Sequence, residues 1–294
     1  MATRISLVTT TLNAETYLAD CLASIASQRY PNLEHIVIDA GSTDRTTDIL
    51  ETHADQISEH RVVPGIGMYA GLKLGFSMST GDVMGWINAD DVLHPGALSL
   101  LDLLFAQNRQ VSWVTGRPCL IDDENRAFAI PEHRYRSRRR FLAGDRHWIQ
   151  QESTFWRRDL WERVGGLDET LDYAGDFDLW FRFYQQDRLF LLDCLLGAFR
   201  VHQQGQLSQQ HAREYQREVD QVYGHFRKAQ SRSARAASAS LAMLDSLIRT
   251  RAHRHPGQCT AVLQALGLTE TICFAPLLQF DPVRQIFHTS DRWM

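Results

Sequence analysis

No apolar run in the 294 residues approaches the roughly 20 that a membrane-crossing helix needs. Cysteine is sparse: Cys21, Cys119, Cys194, Cys259 and Cys273 are scattered, odd in number and free of any C-x-x-C pair. That pattern argues against a disulfide framework or a structural zinc site and for a reducing compartment. No basic stretch followed by an apolar core opens the chain, so a secretory signal is not expected. Repeats and low-complexity tracts are also lacking. The formal net charge of −4 lacks the basic excess of a general nucleic-acid binder, and no nucleic-acid partner is expected. What remains is a chain 44% hydrophobic, able to bury the core of one large domain with or without an extension. A cytoplasmic location is expected, with peripheral contact at the inner face of a membrane left open.

The stretch from Gly81 to Asp91 is the most informative. Val83, Met84, Trp86 and Ile87 form a short, nearly continuous apolar run, as in a strand buried on both faces of a parallel sheet. Asp90 and Asp91 follow it directly. Open α/β sheets bind ligands at the carboxyl ends of their strands, and hard divalent cations take one or two carboxylates together with phosphate oxygens. A metal–diphosphate site on a nucleotide-binding sheet is one reading. The other is that Asp91 caps the next helix and Asp90 belongs to a solvated turn.

Around this strand the pattern alternates. Ile5–Thr10 reads as a first strand, followed by a helix that Asn13 can cap and whose inner face is Leu18, Cys21, Leu22 and Ile25. A second strand, Ile36–Ile38, ends at Asp39, and a helix runs from about Thr46 to His53. A weaker third strand lies near Arg61–Val63, with a helix from about Met68 to Met78 after it. Beyond the central strand, Leu98, Leu101, Leu104 and Phe105 mark another helix, with Pro95 in its first turn. The expected architecture is an α/β/α sandwich around a mostly parallel sheet. Its strand ends would bring Asp39 and Asp90–Asp91 to one cleft. Asp39 could accept an imide N–H from a base, or simply form an Asx turn with Ser42.

The second half is more irregular. Val111–Gly116 reads as a fifth strand, and Cys119–Ile121 and Ala127–Ile130 as a hairpin. Arg134, Arg136, Arg138, Arg139 and Arg140 form a basic run, either a solvated helix face or a patch for acceptor phosphates or an anionic membrane. Gln151–Phe155 reads as extended, and a helix near Asp159–Val164 ends at Gly165–Gly166. Asp176 opens a helix with Phe177, Trp180, Phe181 and Tyr184 on one face, a stripe most simply read as core. Asp176 itself is either an N-cap or a carboxylate facing a cleft. Cys194–Val201 reads as a strand ending at His202.

In this order the segments resemble family 2 glycosyltransferases of GT-A fold. Thr9–Asn13, Asp39-Ala-Gly-Ser-Thr-Asp44, Asn88-Ala-Asp90-Asp91, Gln151–Arg158, Val164–Asp168, Gly175–Trp180 and Phe199-Arg-Val-His202 carry the likeness, over about the first 205 residues. The resemblance implies a catalytic domain over 1–205, with a nucleotide-sugar half to about 116 and an acceptor half from 117. It implies that Asp39 holds the base, with Thr9 and Thr11 lining its pocket and Ser42 and Asp44 at the rim. Asp90 would meet ribose or metal, Asp91 would ligate Mn²⁺ or Mg²⁺, and His202 would be a further metal or diphosphate contact. Asp176 would be the general base of an inverting transfer from a nucleotide-sugar, with a UDP-sugar favoured. The acceptor would be a hydroxyl on a glycan, a lipid-linked molecule or a small molecule.

Two departures stand out. Asn88 replaces the first acid of the DxD-type motif. Around residues 69–75, where related sequences often carry an acid second, this chain has Ala70, with Lys73 further on. Lys73 is read as a phosphate contact or a solvated cation. A catalytically silent nucleotide-sugar or glycan binder therefore stays open. A nucleotidyltransferase is disfavoured because Thr9–Asn13 has no glycine or basic residue. Residues 206–294 are expected to be a helical extension: an amphipathic helix over His211–Lys228 with Tyr215, Val219, Val222, Tyr223 and Phe226 on its apolar stripe, and shorter helices at Leu241–Arg251, Cys259–Leu266 and Thr269–Leu278. It could pack on the catalytic domain, cover the acceptor side or form a homo-oligomer.

Overall fold

The computed structural model describes residues 2–131, 137–142, 144, 147–202, 210–229 and 276–290. In chain order the first half runs β1 (Ile5–Thr11), α1 (Leu18–Ala26), β2 (Leu33–Asp39), α2 (Thr46–Thr52), β3 (Glu59–Val62), α3 (Met68–Met78), β4 (Val83–Trp86), β5 (Val92–Leu93) and α4 (Ala97–Gln107). The second half continues with β6 (Trp113–Thr115), β7 (Leu120–Ile121), β8 (Ala127–Ala129), α5 (Arg138–Leu142), β9 (Thr154–Arg157), α6 (Arg158–Val164), α7 (Gly175–Gln186), β10 (Phe190–Leu192) and β11 (Gly197–Arg200). Then come α8 (Ala212–Ala229), β12 (Leu277–Asp281) and β13 (Ile286–Ser290). No helix among the described residues is long and apolar enough to cross a membrane.

Nine strands form one sheet in the order β13-β12-β10-β6-β9-β4-β1-β2-β3. Pairing is parallel from β4 through β1 and β2 to β3, as the βα alternation predicts. It is interrupted by β9, which runs antiparallel to both β4 and β6. Residues 151–155 read as extended. They are instead a 3₁₀ turn, Gln151–Ser153, leading into that central antiparallel strand. A smaller sheet, β5-β11-β7-β8, stands beside the strand ends.

Each face of the main sheet buries its own apolar layer. On one face Val8, Ile36 and Ile38 meet Tyr69, Leu72 and Phe76 of α3 and the aromatic side of α7. On the other, Ile5, Leu7 and Val83 meet Cys21 and Ile25 of α1 and the leucines of α4. Gly75 lets α3 lie close on the sheet, since a Cβ there would fall 2.5 Å from Val8. The α7 stripe is core, as expected. Trp180 stacks on Trp86 at 5.5 Å and on Trp113 at 5.8 Å, and its ring is edge-on to Trp156 at 5.6 Å. This indole cluster fixes α7, and hence the residue one turn earlier, Asp176, against three strands.

Several expectations need correction. Asn13 does not cap α1: it has a left-handed φ of 49°, and its amide oxygen accepts the Thr43 N–H at 2.9 Å. Cys194 and its neighbours stay outside β11, while Phe190–Leu192 forms a strand of its own. Leu277 and Leu278, read as the end of a helix, lie in β12, parallel to β10. There Leu278 is buried in the layer on one face of the sheet and Leu277 packs at the layer on the other. The α8 stripe packs into the core beneath α7, so it is used within the chain instead of being left for a second copy. In the basic run, Arg138 donates to the Gln185 carbonyl and Arg140 is buried, contrary to a solvated face. Arg134 and Arg136 and the helices expected at 241–251 and 259–266 lie outside the described residues.

Candidate active site

Parallel register places the carboxyl ends of β2, β1 and β4 side by side. Thr11 is opposite Asp39, and Val8 is opposite Trp86, just before Asn88–Asp91. At the β2 end, Asp39 is buried and accepts four hydrogen bonds. They come from Thr11 Oγ1 at 2.8 Å, Ser42 Oγ at 2.5 Å, Ser42 N at 3.0 Å and Gly41 N at 3.1 Å. Burial pushes its carboxyl up, but the Ser42, Thr11 and Gly41 donors outweigh it and the net shift is downward. The Asx turn with Ser42 is therefore present, and it shapes this end of the cleft.

The rim is stitched by polar side chains. Ser42 Oγ accepts the Asn13 N–H, and Asp44 accepts from Glu15 N and Thr46 N. Thr9 lies two residues deeper than Thr11, wholly buried, with its hydroxyl 3.1 Å from His35 Nε2. It supports the strand and does not line the cleft surface. Lys73 is one turn further along α3 than Tyr69 and pairs on the surface with Glu169 at 3.1 Å. Such an exposed pair is weak, and the Lys73 ammonium stays at the surface.

The two adjacent acids divide sharply. Asp91 is fully buried and accepts from Arg200 N at 3.0 Å and Gln151 Nε2 at 3.1 Å. Burial, then the charges of Asp90 and Glu152, push its carboxyl well up. Asp90 instead keeps a third of its side chain exposed, with Oδ2 3.2 Å from His202 Nε2. The acid facing the cleft is thus Asp90, and Asp91 braces the loop from behind.

Arg200 locks this loop. Its side chain is wholly buried, donating to the carbonyls of Asp90 and Asp122 at 2.8 Å each and to Asn125 Oδ1 at 2.5 Å. Its guanidinium lies 4.6 Å from the Tyr17 ring, which in turn sits 5.0 Å from His202. A planar fork of five donors suits such multiple carbonyl contacts, and Lys could not replace it. Sequence reading noticed Arg200 only as the neighbour of His202.

Asp176 opens α7 and is buried, with Phe177 N donating to Oδ1 at 2.7 Å. Burial raises its carboxyl to about 7. The Phe177 amide and the Tyr69 hydroxyl work against that rise, and the Glu218 charge adds to it. Gly175 is required here, since a Cβ would fall 2.8 Å from the Tyr69 ring. Glu152, which sequence reading did not single out, belongs to the same neighbourhood. It interacts electrostatically with Asp90 and Asp176, and burial raises it to about 8. Its carboxyl is wholly buried with no hydrogen-bond partner among the described residues, and the sequence signal was an acid inside an otherwise extended segment. Asp90, Asp91, Glu152 and Asp176 thus form one acidic group at the sheet edge that also carries Asp39.

Among the described residues no cluster of three or more His, Cys, Asp and Glu could hold a metal ion. The Asp90–His202 pair fits a cation that takes its remaining ligands from water and phosphate, as Mg²⁺ and similar ions do. Two ligand atoms 3.2 Å apart can share one ion. Asp91, with both oxygens engaged by protein donors, fits that role less well than expected.

Comparison with known proteins agrees with this architecture. A solved structure of residues 1–349 of TarS from S. aureus in complex with UDP aligns with a TM-score of 0.59 at 17% identity, covering 76% of this chain and 65% of that one. The UDP-GlcNAc complex of the same protein also gives 0.59, with 71% of that chain covered. These likenesses establish a GT-A-type fold. An uncharacterized glycosyltransferase of Rickettsia typhi is 27% identical over 207 residues, 67% of this chain and 64% of the relative. The chain thus spans slightly less than two thirds of that relative's length. A PGL/p-HBAD biosynthesis glycosyltransferase of Mycobacterium tuberculosis is 34% identical over 92 residues, 30% of this chain and 36% of the relative. The sequence model of glycosyl transferase family 2 matches residues 6–165, more than half of the 294, and stops before Asp176 and His202. The chain belongs to glycosyl transferase family 2.

Proposed function

We propose that this protein is an inverting glycosyltransferase that moves a sugar from a nucleotide-sugar, with a UDP-sugar favoured, to an acceptor hydroxyl. The observation that carries this reading is the pairing of a cleft-facing Asp90–His202 set with a buried carboxyl at Asp176 raised to about 7. Asp39 and the turn behind it form the base end of the donor site. An uracil imide N–H would be accepted by Asp39 in exchange for its longest contact, the Gly41 amide at 3.1 Å. Asp90 and His202 would hold the divalent cation, and a mixed oxygen and nitrogen set favours Mn²⁺ over Mg²⁺. When bound, such an ion supplies positive charge to the departing diphosphate.

Asp176 takes the acceptor proton. A base is most effective when its pKa lies near the working pH, and burial places Asp176 there. Attack from the side opposite the diphosphate inverts the anomeric centre in one step. Glu152, raised to about 8, is mostly protonated at neutral pH, which limits the negative charge beside Asp90. The acceptor is a hydroxyl on a glycan, a lipid-linked molecule or a small molecule.

Incubation with UDP-GlcNAc, UDP-glucose and UDP-galactose in the presence of Mn²⁺ is expected to release UDP from at least one of them, with release suppressed by EDTA. Tight Mn²⁺-dependent UDP binding without release from any donor, with a simple alcohol added as acceptor, would instead indicate a silent binder.

A further inference from the structure

We propose that Glu218, on α8, is a positioning residue for glycosyl transfer, holding the 172–174 turn so that Asp176 enters the cleft at the first turn of α7. This rests on Asp176 being the base. One Glu218 carboxylate accepts three consecutive backbone N–H groups, Asp172 at 3.0 Å, Tyr173 at 2.9 Å and Ala174 at 2.7 Å. Ala174 directly precedes α7, so these donors belong to the approach to that helix. The first N–H groups of a helix lack intrahelical partners and accept a cap from elsewhere when its own N-terminus supplies none. Here the N-cap residue Ala174 supplies no side-chain cap, Asp176 takes the Phe177 N–H within α7, and the carboxylate of a helix about 40 residues later takes the three donors just ahead of it.

The neighbourhood of α8 is built for that grip. Val219, beside Glu218, is buried in the main core, and Tyr215, one turn before Val219, lies close to Asp176. The Tyr173 ring stacks on His211 of the segment leading into α8, at 4.6 Å. Tyr69 of α3 completes the clamp by donating to the Tyr173 carbonyl at 2.8 Å. The turn is thus held at three successive amides, one carbonyl and one ring. Both Asp176 and Glu218 lie beyond the segment matched by the family.

A scaffold contact and a positioning contact differ in what they do to Asp176. The ionisable groups facing it are Tyr69 on α3, Tyr215 and Glu218 on α8, and Glu152 before β9. Of these, Glu218 is the one whose negative charge reaches Asp176 while its oxygens hold the adjacent backbone. Glu218→Gln preserves shape and one acceptor oxygen but removes the charge; Glu218→Ala removes the grip.

The experiment is a ¹³C-carboxyl NMR titration of Asp176, assigned by the signal missing in Asp176→Asn. It is run on the full chain alongside amide hydrogen exchange and Mn²⁺-dependent release of UDP from UDP-GlcNAc. Glu218→Gln is expected to lower the Asp176 midpoint by about 0.5 to 1 pH unit. Glu218→Ala is expected to speed exchange of the 172–174 amides about tenfold or more and to lower kcat by a similar factor. If Glu218→Ala does not fold, the Glu218→Gln titration decides alone. An unchanged midpoint in Glu218→Gln would overturn the proposal, as would unaltered exchange at 172–174 in a folded Glu218→Ala. Undiminished turnover in Asp176→Asn would instead remove the base assignment on which it rests.

Discussion

Asp176→Asn is expected to lower the rate of transfer by about 10²–10⁴-fold while leaving UDP affinity within about twofold of wild type. The amide is nearly isosteric and can still accept the Phe177 N–H, so α7 keeps its start. What it loses is the ability to take a proton. Wild-type kcat should rise with pH through about 7, because the carboxyl must be ionised to act, and fall about tenfold for each unit below that. The same substitution has an opposite effect on stability, whose sign follows from linkage. The folded carboxyl holds its proton up to about pH 7, whereas an unfolded one loses it near 3.8. The stabilising contribution is complete below the lower value and is lost as pH rises through the higher. At pH 8 the buried carboxylate costs the fold at most about 4 kcal/mol. Asp176→Asn should therefore melt at a higher temperature than wild type at pH 8, with the gap closing toward pH 4. A less active, more stable variant is the signature of a functional group held under strain.

The second large effect separates the two adjacent aspartates. Asp90→Ala is expected to abolish most of the Mn²⁺-dependent part of UDP binding, measured by calorimetry, with little change in melting temperature. Its side chain is partly exposed, and its hydrogen-bonding partner among the described residues is His202. Asp91→Ala should do the reverse in its larger effect. It leaves the Gln151 amide and the Arg200 N–H without their acceptor inside the protein, a loss of about 2–4 kcal/mol. Weaker metal-dependent binding would follow only through a loosened loop. If Asp91→Ala removed Mn²⁺-dependent affinity at unchanged stability, the ligand would be Asp91 after all.

Much of this was legible before any coordinates. Apolar runs ending in chemistry-bearing residues located β1, β2 and β4, and periodicity placed α3 at Met68–Met78 and the inner face of α1. Those signals are local, and burial on both faces of a parallel sheet writes them plainly. The antiparallel β9 was not legible because strand direction depends on a partner distant in sequence, and period-two alternation is the same in both directions. The β12–β13 hairpin was missed for the same reason: its pairing with β10 is a tertiary fact. At the site, residue type identified acids but not their aim. Asp90 and Asp91 are adjacent, so their side chains point apart, and only the packing of β11 and Gln151 shows which one is buried. Thr9 and Thr11 share a strand face but differ in depth. Lys73 looked free until Glu169, 96 residues away, supplied its partner.

The central claim is that Asp39, Asp90 and Asp176 border a single donor cleft. A crystal structure of the protein with UDP and Mn²⁺ tests it most directly. Uracil is expected against the Asp39 turn, Mn²⁺ on Asp90 and His202 with the diphosphate, and the Asp176 carboxyl facing the sugar end of that diphosphate. UDP bound at another edge of the sheet, or Mn²⁺ held without Asp90, would contradict it.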